Sequence, residues 1–217
     1  MTNAAPLVLS LCAFAVLGVL PAAFFRPGRP TAGWCLTAAP FFADAAIVIA
    51  ALAGVVSPVQ LHARAASALA IAAVPLLALA ILITGCTVGV HRAPVSLWHQ
   101  EDDTPAQLIT CGPYSRIRHP FYTAFILMLV GTAAALPHAA TLGLLALGTL
   151  QLSRTARREE RRLLASTLGH EYARYTARTG RFLPRLWPAG GAAVAIGSAG
   201  SRAESSSRAA TRPAGQP

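Results

Sequence analysis

The 217-residue chain has no lysine, and only 12% of its residues are charged. A water-facing domain typically carries about 25% charged residues. That deficit excludes an ordinary soluble globular protein. Residues 1–25 carry no charge at all. The absence of an early arginine also argues against a signal peptide, which needs a basic start and a small-residue cleavage site. The four cysteines include no pair at C-x-x-C spacing, which excludes a disulfide framework or a zinc site. They read as small hydrophobes. No internal repeat and no nucleic-acid motif occurs.

What is present is hydrophobic: 54% apolar residues and a mean hydropathy of +0.53. The formal charge of +10 comes entirely from arginine, and 12 of the 18 arginines lie from Arg154 onward. One-sided charge on an apolar chain points to a membrane protein before a nucleic-acid binder.

Uncharged runs of about 20 residues are long enough to cross a bilayer. Residues 7–25, 36–56 (interrupted only by Asp44) and 65–90 read as three spans, with Pro75 inside the third. Residues 121–153 are too long for one span, and Pro137-His138 divides them, which predicts a short helical hairpin. An Arg-rich amphipathic segment follows to about Tyr175, then an Ala/Gly/Ser/Arg-rich tail expected to be disordered. The expected fold is therefore an all-α integral membrane protein. It has about five hydrophobic helices, the last two a short hairpin, plus a cytoplasmic amphipathic helix. Three regions result: membrane helices over 1–90, a functional region over 91–188 and a tail over 189–217.

With five segments, 17 of the 18 arginines fall on one side and only Arg64 on the other. The positive-inside rule makes the first side cytoplasmic, with the N-terminus outside and the C-terminus inside. The expected partners are the lipid bilayer and a lipophilic substrate, with the basic tail at lipid headgroups.

The polar residues concentrate in two segments. The first runs Leu108-Ile109-Thr110-Cys111-Gly112-Pro113-Tyr114-Ser115-Arg116-Ile117-Arg118-His119-Pro120-Phe121-Tyr122. Pro120 suits the first turn of a helix, where a missing N–H costs nothing. That helix start directs N–H groups and a positive dipole end at the loop before it. A basic interface anchor with an aromatic belt is the plainer reading of the same composition.

The second segment holds Glu159 and Glu160 among Arg154, Arg157, Arg158, Arg161 and Arg162. At helical spacing Glu160 shares a face with Ala156, Leu163, Leu164 and Thr167. A carboxylate on that face needs a cation, either an arginine or a cationic ligand. Glu159 lies off the face and reads as solvated, paired with Arg162 or Arg158. Asp44 inside the second span is a functional candidate by default, with an interhelical hydrogen bond or protonation as the plainer reading. His62 and His138 read as incidental, and His91 and His99 show no metal-ligand spacing.

Together these residues resemble the signature of the isoprenylcysteine carboxyl methyltransferases, whose wider superfamily includes the phospholipid methyltransferases. The matching stretches are residues 108–122, Glu159-Glu160-x-x-Leu163, Gly169-x-x-Tyr172-x-x-Tyr175 and Arg181-Phe182-Leu183-Pro184. Ala124 stands where the family usually has glycine.

The resemblance implies methyl transfer from S-adenosylmethionine to a lipophilic acceptor at the cytoplasmic membrane face, with a prenylcysteine-like carboxylate as the namesake acceptor. It also implies cofactor binding by Gln107, Leu108, Ile109, Tyr114, His119, Pro120, Phe121, Tyr122 and Glu160. Arg118 suits the cofactor carboxylate, and Arg157, or secondly Arg154, would contact substrate. No metal is implied. Tyr114 or His119 would be the base if the acceptor needs one. A membrane NADPH-dependent sterol- or steroid-type reductase with a similar Arg-His-Pro-x-Tyr helix start is the alternative. The third possibility is a non-catalytic lipid-binding scaffold, in which an arginine pairs with Glu160.

Overall fold

The computed structural model describes residues 4–22, 32–90 and 108–185. Six α-helices occur among them: α1 (Ala4–Ala22), α2 (Ala32–Leu52), α3 (Ala63–Gly89), α4 (Pro120–Ala135), α5 (Ala139–Leu164) and α6 (Gly169–Arg178). A single 3-10 turn, Gly112–Ser115, precedes α4. Gln107, the acidic run at 101–103, His91, His99 and the 189–217 tail lie outside the described residues.

The expectation of about five hydrophobic spans ending in a short hairpin is not met. Among the described residues, only α2 and α3 are long and apolar enough to cross a membrane. The apolar part of α1, Ala4–Val19, is shorter, and so is α4. With 16 residues, α4 reaches only about 24 Å at 1.5 Å per residue, against a hydrocarbon core of roughly 30 Å. Nor is the Arg-rich segment a separate helix. It is the second half of α5, which runs unbroken through 26 residues. Gln151 and Arg154 end its apolar run long before its hydrogen bonding ends. The physical reason is that hydropathy marks where a chain can be buried, whereas helix length is set by caps and breakers.

Those caps are visible. The two histidines read as incidental in sequence are both N-caps: His62 Nδ1 accepts from the Arg64 amide at 3.4 Å, and His138 Nδ1 from the Ala140 amide at 3.1 Å. Each satisfies a donor that a helix start leaves orphaned. Thr141 Oγ1 donates to the carbonyls of Leu136 and His138, closing the turn between α4 and α5. Neither Pro40 in α2 nor Pro75 in α3 ends its helix.

Helix α4 is the hub, packing on α1, α3 and α5. Phe41 of α2 meets Phe125 of α4 with ring centroids 4.8 Å apart. Around them Leu77, Met128, Leu129 and Leu152 are fully buried. Deeper along the bundle Ser10, Asp44 and Thr132 form a buried polar cluster joining α1, α2 and α4, with Ser10 Oγ 2.5 Å from Thr132 Oγ1. By contrast Ile71, Val74, Leu79 and Leu82 of α3 face outward. Such an apolar exterior suits lipid rather than water.

Gly131 sets the approach of α3 to α4. A Cβ there would lie 2.7 Å from Leu77 Cγ and 2.8 Å from its Cδ2, and Leu77 is fully buried with no space to yield. Gly131→Val is therefore expected to destabilise the bundle by about 1–3 kcal/mol, the usual cost of overpacking. Thermal unfolding in detergent measures it, and an unchanged midpoint would contradict this packing.

Candidate functional site

The site is assembled where the loop 108–119, the C-terminal half of α5 and the segment after α6 meet. Gly112 adopts φ +59°, and a Cβ on it would lie 2.5 Å from Val90 Cγ1 at the end of α3. Only glycine is tolerated at such a left-handed, crowded position. The 3-10 turn that follows ends as the Arg116 and Ile117 amides donate to the Pro113 carbonyl. The chain then extends, and Ile117 forms an isolated parallel bridge with Gly180. Through this pairing the Arg118 amide donates to the Gly180 carbonyl (2.8 Å) and the His119 amide to the Arg181 carbonyl (3.1 Å). Thr123 Oγ1 adds a bond to the Phe182 carbonyl at 2.8 Å. Residues 179–182 thus strap the loop onto the start of α4, whose first residue is the buried Pro120.

Glu160 is the electrostatic centre. Arg118 Nε donates to its Oε1 at 2.9 Å. Arg181 Nε donates to both its oxygens at 3.1 Å, and Arg181 Nη2 bonds Oε2 as well. Arg118 is itself fixed, its Nη1 donating to the carbonyls of Thr176 and Thr179. Burial alone would raise the Glu160 carboxyl. Close contact with His119 and the bonds from Arg181 and Arg118 outweigh it, holding the group well below the usual carboxylate range. Arg181 is correspondingly raised, first by its hydrogen bond to Glu160.

Glu159 is placed differently from its expected role as a solvated partner of Arg162 or Arg158. Its side chain is 27% exposed. Tyr122 Oη donates to its Oε1 at 2.5 Å, and His119 Nδ1 lies 3.5 Å from its Oε2. The reason is the one-residue step along α5, which turns Glu159 toward the start of α4. Burial raises this carboxyl and prevails over His119, the Tyr122 bond and Arg162, which act to lower it.

His119 stacks on Tyr122 with ring centroids 5.2 Å apart and planes 3° from parallel. Its Nε2 sits 3.3 Å from Glu160 Oε1 but off the line of a hydrogen bond, so it is buried without a hydrogen-bond partner. Burial, followed by nearby Tyr175 and Glu159, pushes the Tyr114 phenol well above its ordinary range. Tyr175 Oη donates to the Tyr114 carbonyl at 2.6 Å, and burial pushes its own phenol up to about 12.

The structure therefore gathers Tyr114, Arg118, His119, Pro120, Tyr122 and Glu160 around the α4 start. Leu108 and Ile109 are half-buried in the loop before it, and Phe121 is half-buried beside Tyr122. Gln107 lies outside the described residues. Arg154 and Arg157 are both exposed on α5. Two participants escaped the sequence reading in these roles. Arg181, 21 residues from Glu160, has no local signal pairing it with that acid. Glu159 was assigned to solvent because helix periodicity shows a residue's own face but not what a neighbouring element places beside it.

Comparison with known proteins fits this geometry. A cobalt-zinc-cadmium resistance protein, CzcN, of Cupriavidus metallidurans is 40% identical over 79 residues, 36% of either chain. A nickel-cobalt-cadmium resistance protein, NccN, of Alcaligenes xylosoxydans xylosoxydans is 33% identical over 111 residues, 49% of this chain and 52% of that one. The chain thus spans about a third to a half of the length of these curated relatives. At family level, residues 69–166, which carry Arg118, His119, Tyr122 and both glutamates, match the isoprenylcysteine carboxyl methyltransferase (ICMT) family.

Proposed function

We propose that the chain is an integral-membrane methyltransferase that uses S-adenosylmethionine to methylate a lipophilic acceptor, with carboxyl O-methylation of a prenylcysteine-like compound as the leading reaction. The observation that carries this is the arrangement of Glu159, His119 and Tyr122 at the start of α4, inside the segment that matches the family. With α2 and α3 as the crossings, every arginine of the described residues except Arg64 follows α3, and this one-sidedness supports placing the reaction on the cytoplasmic side.

The donor set fits the cofactor's chemistry. Glu159 is a partly exposed carboxylate for a cation, and the Tyr122 ring beside it is an aromatic face that attracts positive charge. The buried Nε2 of His119, without a hydrogen-bond partner, is available to a polar group of a ligand. Leu108, Ile109, Pro120 and Phe121 would flank the cofactor, with Tyr114 and Glu160 at its edge. The cofactor supplies an activated methyl group on sulfur, so the protein's work is positioning and exclusion of water. Arg118, held by Glu160 and two carbonyls of the α6 end, keeps the loop at a fixed distance from α5.

A carboxylate acceptor is ionised at neutral pH and needs no base. For a thiol or amine acceptor, His119 is the better base than Tyr114, whose phenol burial keeps protonated. Arg157, about 60° round α5 from Glu160, is the candidate for an acceptor's negative charge. Arg154 lies about 120° away and is the weaker candidate. The relatives' names point to metal resistance as a setting, so lipid extracts of cells grown with and without cadmium or cobalt are the acceptor pools to screen.

Radiolabelled S-adenosylmethionine should bind the detergent-purified protein and be displaced by S-adenosylhomocysteine but not by NADPH. Binding of NADPH in place of S-adenosylmethionine would replace this reading with a reductase. Binding of neither would leave the scaffold.

A further inference from the structure

The outer face of α5 changes character within one turn. Leu147 and Leu150 are exposed at 44% and 47%, and on the same face Arg154, Arg158 and Arg161 are exposed too. At about 100° per residue these five side chains fall within roughly 80° of one another around the helix axis. The opposite face, Leu152, Ala156 and Glu160, is buried against the rest of the protein. Since α5 is one uninterrupted helix, the leucines and arginines form a straight stripe about 21 Å long.

Among the described residues none of the three arginines makes an ion pair or a side-chain hydrogen bond. Their neighbours differ. Arg162, on one flank, acts on Glu159, and Arg157 lies on the other flank. Nothing within the described protein accounts for a row of three unpaired guanidinium groups directly above two exposed leucines.

We infer that the outer face of α5 is a docking surface for anionic phospholipid, with Leu147 and Leu150 against acyl chains and Arg154, Arg158 and Arg161 against headgroup phosphates. The leucine-to-arginine change is the order in which a lipid presents its own parts, acyl chain and then phosphate. Guanidinium groups match phosphate oxygens in charge and in forked geometry. Long side chains also let arginine reach the headgroups from a slightly deeper backbone. The inference rests on membrane insertion of α2 and α3, and apart from Arg154, the weaker acceptor candidate, it shares no residue with the reaction proposed above. It has a consequence for that site. Glu159 and Glu160 lie between Arg158 and Arg161 in the chain, so the site stands at headgroup level, where a lipid-anchored acceptor can reach it sideways.

The test uses the full chain in nanodiscs of phosphatidylcholine with a minor fraction of phosphatidylglycerol. Spin-labelled forms of each lipid report the fraction immobilised at the protein surface. The wild type should favour phosphatidylglycerol about fivefold or more, given the strength of single arginine–headgroup contacts. The preference should fall to near parity in R154Q/R158Q/R161Q and persist in R154K/R158K/R161K. Molar salt should also weaken it in the wild type, because exposed charges are screened. Equal immobilisation of both lipids by the wild type overturns the inference, as does an undiminished preference in the glutamine variant. If that variant fails to fold, a wild-type preference that survives molar salt overturns it equally.

Discussion

Glu160→Gln is expected to lower the thermal unfolding midpoint sharply and weaken S-adenosylmethionine binding at the same time. The carboxylate receives bonds from Arg118 and Arg181, on two segments that are otherwise joined mainly by backbone hydrogen bonds. Removing its charge leaves Arg118, only 12% exposed, facing a neutral amide. Breaking a buried ion pair from one side costs about 3–5 kcal/mol. Arg181 is 33% exposed and can turn to water, so a loss of about 2–3 kcal/mol is the better expectation here.

Acid offers a second readout of the same group. A carboxyl held below its usual range stabilises the fold fully above the unfolded value of about 4.3, and this contribution is lost as pH falls toward the lower folded value. The wild type should therefore lose stability below pH ~4, and Glu160→Gln should lack this increment of acid sensitivity. An unchanged midpoint in the variant would mean that the strap holds without the ion pair. Unchanged cofactor affinity would remove Glu160 from the binding role alone.

Glu159→Gln should separate the two effects, weakening S-adenosylmethionine binding while leaving the midpoint within a few degrees. Its carboxylate is partly exposed and its protein partners are Tyr122 and His119, not an arginine pair. Loss of a charged hydrogen-bond partner costs about 1.5–3 kcal/mol, or about 10- to 150-fold in affinity. Burial raises this carboxyl, so it protonates at a higher pH than an ordinary glutamate. Wild-type affinity should then begin to decline at a higher pH than an ordinary carboxylate would give, while Glu159→Gln shows no such decline. Calorimetric titration across pH separates the two. A wild type and a variant with parallel pH profiles would assign the cation contact elsewhere.

The contrast between these adjacent acids shows which parts of the site were legible. Residues 108–122 and the Glu159–Glu160 pair were recognisable because turn formers, a proline at a helix start and paired acids leave local marks. The need for a cation at Glu160 was legible too, since a carboxylate on an apolar face must be compensated. Which cation was not. Arg181 reaches Glu160 only because residues 179–182 pair with 116–119, and backbone pairing of two short segments leaves no pattern in composition.

The fold divided along similar lines. Apolar runs located α2 and α3 correctly as helices able to cross a membrane. Over α1 and α4 the apolar runs among the described residues are shorter, Ala4–Val19 and Pro120–Ala135. The separate amphipathic helix expected after residue 153 is instead the second half of α5, whose arginines are good helix formers and continue its hydrogen bonding to Leu164. The buried polar group Ser10–Asp44–Thr132 was visible only as one acid in an apolar stretch.

The sequence by itself determined that the chain is helical and apolar, that its arginines are confined to a few segments, and that its chemistry lies in two of them. Apolar periodicity, charge placement and glycine–proline turns are properties of neighbouring residues, so they can be read without a fold. Only the tertiary structure decided that α5 carries both an apolar half and the acids. It likewise decided that Glu160 is clamped by two arginines, and that Glu159 rather than solvent meets Tyr122 and His119. Each of these depends on how separate helices are rotated and stacked, and a rotation of one residue exchanges a clamped carboxylate for an accessible one.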